Sequence, residues 1–423
     1  MIKYLDSNFR TGFAFSMSDN NKHILTRFCT HLVFADREMA PNIGPILDKR
    51  LTVKRVLIVY TANLVENAQR LKTLYKAHKI KAELHLIEPE FEIPSIVSSL
   101  KNIVKDVPYE TLSINLSCAD KLYTLGAFKA FEDTPVSLYY LLPNDQLKWI
   151  QPNDLPEFNI AENIQLVEFL RAHGVEQVWP VKLTPNLANF ANKLVNAIEK
   201  IILQQYALKT YQQFSTRFAR GKPIKLIKHR EHYYLNEINK SHSRMKPDLL
   251  IGFLRKLHNQ NVLHLKTENN ETYPLPEKDP WKRTFFEGGW LEYLTYRTLI
   301  ELKAELPKIK EVAFGVKLQR KNAFDEADVL FIANNQLFVI ECKTGSNTNI
   351  NLHLQRLDSL SSRLGGATAH SLLITTEVIG ANRPKADLLN VGVIGGRQLA
   401  RLKHHLREWV IQELALTPEE NAN

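Results

Sequence analysis

Apolar and polar positions along the first third of the chain fall into two alternating rhythms. THLVFAD (30–36) and VKRVLIVYT (53–61) are short apolar runs, the second rich in Val and Ile, as expected of strands buried on both faces. AELHLIE (82–88), TLSINLS (111–117) and VSLYYLL (136–142) continue the series. Between them, residues 64–78, 93–106 and 118–132 carry apolar residues at helical spacing. Strands alternating with helices predict a parallel, doubly wound sheet, whose ligands sit beyond the carboxyl ends of the strands.

The pattern changes further on. Residues 1–28 are weakly patterned and read as an extension. Pro143, Pro152 and Pro156 mark a boundary. Residues 161–220 are mainly helical, most clearly over 185–214, whereas 222–275 mix short strands and helices without a legible fold. Beyond the punctuated YPLPEKDPW (273–281), the spacing predicts a helix over 290–305 and strands over 311–318, 326–333 and 336–343. A helix (351–364), a strand (369–376), a strand (392–396) and a helix (397–415) follow. The chain thus divides into an α/β domain (1–155), a mainly helical middle (156–275) and a mixed α/β domain (276–423).

Composition excludes several classes. With 44% hydrophobic and 24% charged residues in 423, neither a disordered chain nor a collagen-like fibre is expected. The apolar runs fall short of the ~18–20 residues of a membrane span. MIKYLDSNFRTGFAFSMSD lacks a signal-type apolar core. Cys29, Cys118 and Cys342 are odd in number and far apart, which suits a reducing cytoplasm better than a disulfide framework or a zinc site. The net charge of +10 is unevenly placed: residues 200–256 hold 13 basic and 3 acidic residues, equal to the whole excess. That segment reads either as a solvated basic face or as a polyanion-binding surface.

The richest chemistry lies in FDEADVLFIANNQLFVIECKTG (324–345). Asn334-Asn335 between two apolar runs predicts a two-residue hairpin turn. Pairing Ala333 with Gln336 sets Asp328 opposite Glu341 and Glu326 opposite Lys343, with Cβ atoms ~4.5–5.5 Å apart. Glu341 and Lys343 share a strand face, while Ile340 and Cys342 point into a core. Carboxylates this close repel unless a cation joins them, and a hard divalent metal such as Mg²⁺ or Mn²⁺ takes oxygen ligands of this kind. The main-chain carbonyl of Cys342 is a further candidate ligand. Glu292, on a helical face with Tyr296 and Leu299, is a third carboxylate, and Gln355 lies on the helix downstream. Such a metal polarises a phosphodiester and activates water, and Lys343 would position that water or offset developing charge. The plainer alternative is a cross-strand ion pair between Glu326 and Lys343. There is no G-x-G-x-x-G after the first strand, and no G-x-S-x-G, H-E-x-x-H or P-loop. The adjacent His404 and His405 read as surface neighbours pointing apart.

This pattern resembles the PD-(D/E)xK nuclease superfamily. Asp328, Glu341 and Lys343 match its motif, with Ala327 in place of the proline, and Glu292 and Gln355 match its helix positions. INLSCADKLYTLGAFKAF (114–131) resembles the N-L-T-G-G-T-K-x-M segment of CRISPR-associated Rossmann-fold (CARF) domains, and HLVFADREMAPNIGPIL (31–47) resembles their first strand and loop. Together the two parts are similar to cyclic-oligoadenylate-activated ancillary nucleases of type III CRISPR systems. The resemblance implies a homodimer clamping one cyclic oligoadenylate, most often the tetra-adenylate, and Mn²⁺- or Mg²⁺-dependent cleavage of RNA, single-stranded DNA or duplex DNA. It makes Ala35, Asp36, Pro41, Asn42, Thr61, Asn63, Ser117 and Lys121 candidate activator contacts. Cys118-Ala119-Asp120 replaces the family's Gly-Gly-Thr, so a Cβ and a negative charge stand where phosphates would approach backbone N–H groups. Asp120 would instead bond a ribose hydroxyl or cap its helix. A non-catalytic, nucleotide-sensing regulatory protein is the alternative reading, disfavoured by the intact E-x-K.

Overall fold

The computed structural model describes residues 27–88, 91–202, 247–269, 271–345, 349–378 and 380–416. It also describes Leu25, the segments 226–229 and 232–235, and isolated positions between 208 and 218. Most of 1–28 and of the basic segment 200–256 therefore lies outside the described residues. By internal contacts the chain separates into Met1–Asp36 with Pro41–Ala161, and Arg37–Ala40 with Glu162–Asn423.

The first unit follows the alternation read from its sequence. Its elements are β1 (Thr30–Phe34), α1 (Ala40–Leu47), β2 (Arg55–Tyr60), α2 (Val65–Ala77), β3 (Lys81–Leu86), α3 (Ile93–Ile103), β4 (Leu112–Asn115), α4 (Lys121–Phe131) and β5 (Ser137–Leu141). The strands pair in parallel in the order β3-β2-β1-β4-β5. Leu32, Phe34, Leu57, Val59, Ile114 and Leu138 bury one sheet face against α3 and α4. Gly126 permits these two helices to approach: a Cβ there would lie 2.4 Å from Ile96 Cγ2. The Pro-rich stretch read as a boundary instead contributes β6 (Gln146–Gln151) and β7 (Phe158–Asn159), which extend the sheet antiparallel beyond β5. Trp149 explains part of this, packing on Tyr139 and Phe28 at ring separations of 5.7 and 5.4 Å.

The second unit has α5 (Leu166–Ala172), β8 (Gln177–Trp179), α6 (Pro185–Ile202), β9 (Leu226–His229), β10 (His232–Leu235), α7 (Pro247–Asn259), β11 (Leu265–Glu268), β12 (Glu271–Pro274) and α8 (Pro280–Thr284). It continues with α9 (Trp290–Glu305), β13 (Ile309–Arg320), β14 (Ala323–Ala333), β15 (Gln336–Lys343), α10 (Ile350–Gly365), β16 (His370–Thr375), α11 (Arg383–Leu388), β17 (Val391–Gly395) and α12 (Leu402–Glu413). The main sheet runs β17-β16-β15-β14-β13-β8, and β10-β9-β12-β11 form a separate antiparallel sheet. β13, β14 and β15 form an antiparallel meander, while β15, β16 and β17 are parallel.

Alternation gives each strand of this sheet two jobs. Val329, Phe331, Phe338, Ile340 and Cys342 enter one core with residues of α6, α7, α9 and α12. The other face meets α10, whose last residue, Gly365, would set a Cβ 3.1 Å from Leu337. Glu341 and Lys343 share the parity of Leu337 and so lie on the α10 face. The middle of the chain therefore does not stand apart: α6 and α7 share the core of this sheet, and β8 is its last strand.

Candidate active site

The hairpin register matches that read from the alternation. Ala333 pairs with Gln336, and the ladder runs to Val329 opposite Ile340. Asn334 and Asn335 turn the chain with φ of 49° and 54°, the left-handed pair a two-residue hairpin requires. Past Val329 the ladder stops and the strands open. Asp328 closes the gap with its side chain, Oδ2 accepting a 2.7 Å hydrogen bond from Cys342 N. Glu326 pairs with Lys317 of β13 instead of facing Lys343. Lys343 turns inward between two carboxylates, with Nζ 3.2 Å from Asp328 Oδ2 and 2.6 Å from Glu341 Oε1.

Glu292 comes from the first turn of α9. The segment Phe285–Gly289 before it is a wide, kinked turn. Gly288 lets this turn pass beside the end of β15, since a Cβ there would lie 3.0 Å from Thr344 Oγ1. α9 is tied to β15 through Thr295 Oγ1, 3.5 Å from the buried Cys342 Sγ.

The electrostatics follow from three buried carboxylates sharing one ammonium. Burial, joined by the charge of Asp328, pushes the Glu292 carboxyl up to about 8. Burial and the neighbouring Glu341 push Asp328 up to about 6. For Glu341, burial works against ionisation, but His353 and Lys343 outweigh it and hold its carboxyl below the ordinary range. Burial disfavours the Lys343 ammonium, yet Asp328 and Glu341 hold it more tightly protonated than a free lysine. The donor set is hard oxygen throughout and carries excess negative charge, which fits a divalent cation of the Mg²⁺ or Mn²⁺ kind.

Sequence reasoning missed His353. It lies half-buried on α10, with Nδ1 3.7 Å from Glu341 Oε1. The available signal was helical spacing, since His353 shares the stripe of the buried Leu357, Leu360 and Leu364. Gln355 is exposed and lines a cavity of about 420 Å³ together with Glu341 and Glu326. His404 and His405, expected to point apart, instead meet Glu408. Among the described residues they form a group of three whose ligand atoms all lie within 4.8 Å of one another, a closeness the Glu292, Asp328 and Glu341 set does not reach.

In the first unit the candidate activator contacts fall at the carboxyl ends of β1, β2 and β4. β1 lies between β2 and β4, so the connections leaving β1 and β4 run to opposite sides, the crevice position of such sheets. Not every candidate faces outward. Asn42 is fully buried, its Nδ2 donating to Phe34 O at 2.7 Å and its Oδ1 accepting from Asn115 at 3.1 Å, so it braces the loop from behind. Ala35 is also buried, with its N–H bonded to Val59 O. Pro41 O accepts from Asn115, and Asp36 O accepts from Asn67. Thr61 donates to Asn63 Oδ1 at 2.5 Å. Ser117 Oγ donates to Asn115 Oδ1 and accepts from Leu141 N. Lys121 is exposed, and Asp120 caps α4 by accepting from Leu122 N at 2.9 Å.

A parallel α/β domain with its crevice at a strand-order switch is thus followed by a carboxylate–lysine site on an antiparallel meander. Residues 36–169 match the family model described as the Card1 CARF domain, and residues 279–413 match that of the Card1-like endonuclease domain. The chain thus joins a Card1-type CARF domain to a Card1-like endonuclease domain. Protein VC1899 from Vibrio cholerae has a similar structure, with a TM-score of 0.75 at 20% identity over 91% of this chain and 98% of that one. Can2 from Sulfobacillus thermosulfidooxidans, solved with cyclic tetra-adenylate, gives 0.72 at 17% identity over 92% and 99%. No curated protein matches. Among the described residues no helix is long and apolar enough to cross a membrane.

Proposed function

We propose that the protein is a metal-dependent endonuclease switched on by a cyclic oligoadenylate, hydrolysing phosphodiester bonds in RNA or DNA in antiviral CRISPR defence. The observation that carries this is Lys343 seated between Asp328 and Glu341, with the buried Glu292 carboxyl beside them. Glu292, Asp328, Glu341 and the main-chain carbonyl of Cys342 would hold Mn²⁺ or Mg²⁺. When bound, the metal supplies Lewis-acid activation of water and of the phosphodiester. Lys343 orients the attacking water and offsets charge building on the phosphorus oxygens. Asp328 fixes the end of β15 through Cys342 N, which sets the position of Glu341. Gln355 borders the path of the strand.

The activator reading rests on the crevice between β1 and β4, on Lys121 at the start of α4, and on the cyclic tetra-adenylate held by the structurally similar Can2. A homodimer is part of it. On α4, Leu125 and Phe128 stand 58% and 41% exposed, an apolar pair on a helix flanking the crevice and suited to a second copy. The test offers RNA, single-stranded DNA and supercoiled plasmid to the protein with Mn²⁺ and each cyclic oligoadenylate in turn. Cleavage should require one ring size, and equal rates without any activator would reject the allosteric reading.

The raised carboxyls predict a pH dependence. In the metal-free protein Glu292 and Asp328 keep protons that an unfolded chain releases near pH ~4–4.5. Stability is therefore lost as pH rises from there through about 8. A divalent cation binds the ionised forms, so its affinity should rise over the same window. Thermal melts with and without Mn²⁺ should show a larger stabilisation at pH 8 than at pH 6, and Glu292→Gln should shrink the difference. A larger shift at pH 6 would contradict the ligand set.

The basic segment is read as the docking surface for the polyanion. Lys256 is shifted down by burial and by the adjacent Lys200, a closeness of like charges that suits an anionic partner. Neutralising lysines and arginines across 200–256 should weaken nucleic-acid binding and flatten its salt dependence. An unchanged slope would return the segment to a solvated face.

A further inference from the structure

Resting on the nuclease reading above, we infer that Arg356 and Phe324 form a nucleotide subsite beside the carboxylates, with Arg356 holding a backbone phosphate and Phe324 stacking on the neighbouring base. The cavity of about 420 Å³ runs between α10 and the start of β14, and Glu341 and Gln355 at one end connect it to the carboxylate–lysine site. Its size falls within the ~300–1,000 Å³ typical of ligand clefts. Gln355, Arg356 and Arg363 lie along one side of α10, a stretch of nine residues spanning ~12 Å. The two arginines differ. Arg363 is engaged by Asp325 across the cleft, with Nη2 3.0 Å from Oδ1. Arg356 is exposed and makes no ion pair among the described residues, so its planar donor fork is open to an anion.

Opposite α10, Phe324 stands 71% exposed at the start of β14. It shares its strand face with Glu326, which lines the cavity, and with Asp328. Aromatic rings in such positions stack on bases of any identity. Phe324 thus adjoins Asp325 and Glu326, which form the wall of the cleft opposite Arg356 on α10. The acidic end of the cleft, Glu326 and Glu341, suits the cation, and the open guanidinium suits the next phosphate along the strand.

The experiment separates binding from cutting. With EDTA present, Phe324→Trp should report a single-stranded oligonucleotide by fluorescence quenching. In the same buffer Arg356→Gln should raise the dissociation constant ~10-fold or more and lower the log–log salt slope by about one. With Mn²⁺ and activator, Arg356→Gln and Phe324→Ala should raise KM while kcat stays within about twofold, and Phe324→Tyr should restore KM. Parent-like binding by both variants, or a fall in kcat with KM unchanged, would overturn the subsite. Failure of the nuclease reading itself would show differently, as a parent protein that neither binds nor cuts.

Discussion

Lys343→Ala should lower cleavage roughly 10²–10³-fold or more, the scale on which loss of one charge-stabilising donor is felt. It should also destabilise the metal-free protein, because Asp328 and Glu341 then lose their shared cation while remaining buried. The carboxylate variants should differ in stability. Asp328→Asn can still accept the hydrogen bond from Cys342 N and relieves a charge that burial and Glu341 disfavour, whereas Glu341→Gln removes a charge that His353 and Lys343 stabilise. Both should abolish cleavage in Mn²⁺; in EDTA Asp328→Asn should melt at or above the parent temperature and Glu341→Gln below it. Excess Mn²⁺ should stabilise the parent and not these two. Single-turnover cleavage beside calorimetry reads all of this, and cleavage by Lys343→Ala and Glu341→Gln within tenfold of the parent would remove the site assignment.

The second large effect is expected at the activator. Lys121→Ala should raise the activator concentration for half-maximal cleavage by ~10–100-fold, the worth of one hydrogen bond to a charged group, with full activity regained at saturation. Asp120→Asn tests the departure from the family's glycines. Asn caps a helix about as well as Asp, so the bond to Leu122 N is kept while the negative charge beside a phosphate is lost. Activator affinity should then rise. A fall would mean that the Asp120 carboxylate itself contacts the ligand, as it would on a ribose hydroxyl. Titrating cleavage with cyclic tetra-adenylate separates the two outcomes.

What could be read in advance was local. The β14–β15 register followed from strict alternation and from a turn of two residues tolerant of positive φ, both short-range properties. The parallel strands of the first unit declared themselves as apolar runs because both their faces are covered. What escaped depends on distant partners. β8 pairs Gln177 with Gln319 across more than a hundred residues, and three residues of strand carry no periodic signal. β6 and β7 hid among prolines that normally end an element, because Pro143, Pro152 and Pro156 fall just outside two short strands, in the connections before and between them. At the site, resemblance pointed to Gln355 on α10, but His353 is the side chain that reaches Glu341. The resemblance made Asn42 a candidate activator contact, yet burial and hydrogen bonds to Phe34 and Asn115 give it a bracing role.

The position of β8 bears on how the cutting half can be produced alone. A fragment beginning near residue 276 keeps the carboxylates and the lysine. It discards the strand that covers the outer edge of β13 and the α6 side chains Leu194, Val195 and Ile198 that seal the core. Such a piece uncovers the outer edge of β13 over Phe314–Gln319 and strips an apolar face, a template for joining its own copies edge to edge. A fragment starting at Glu162 retains both covers. Aggregation of the shorter piece would therefore say nothing against the nuclease, only that its boundary had been drawn inside its sheet.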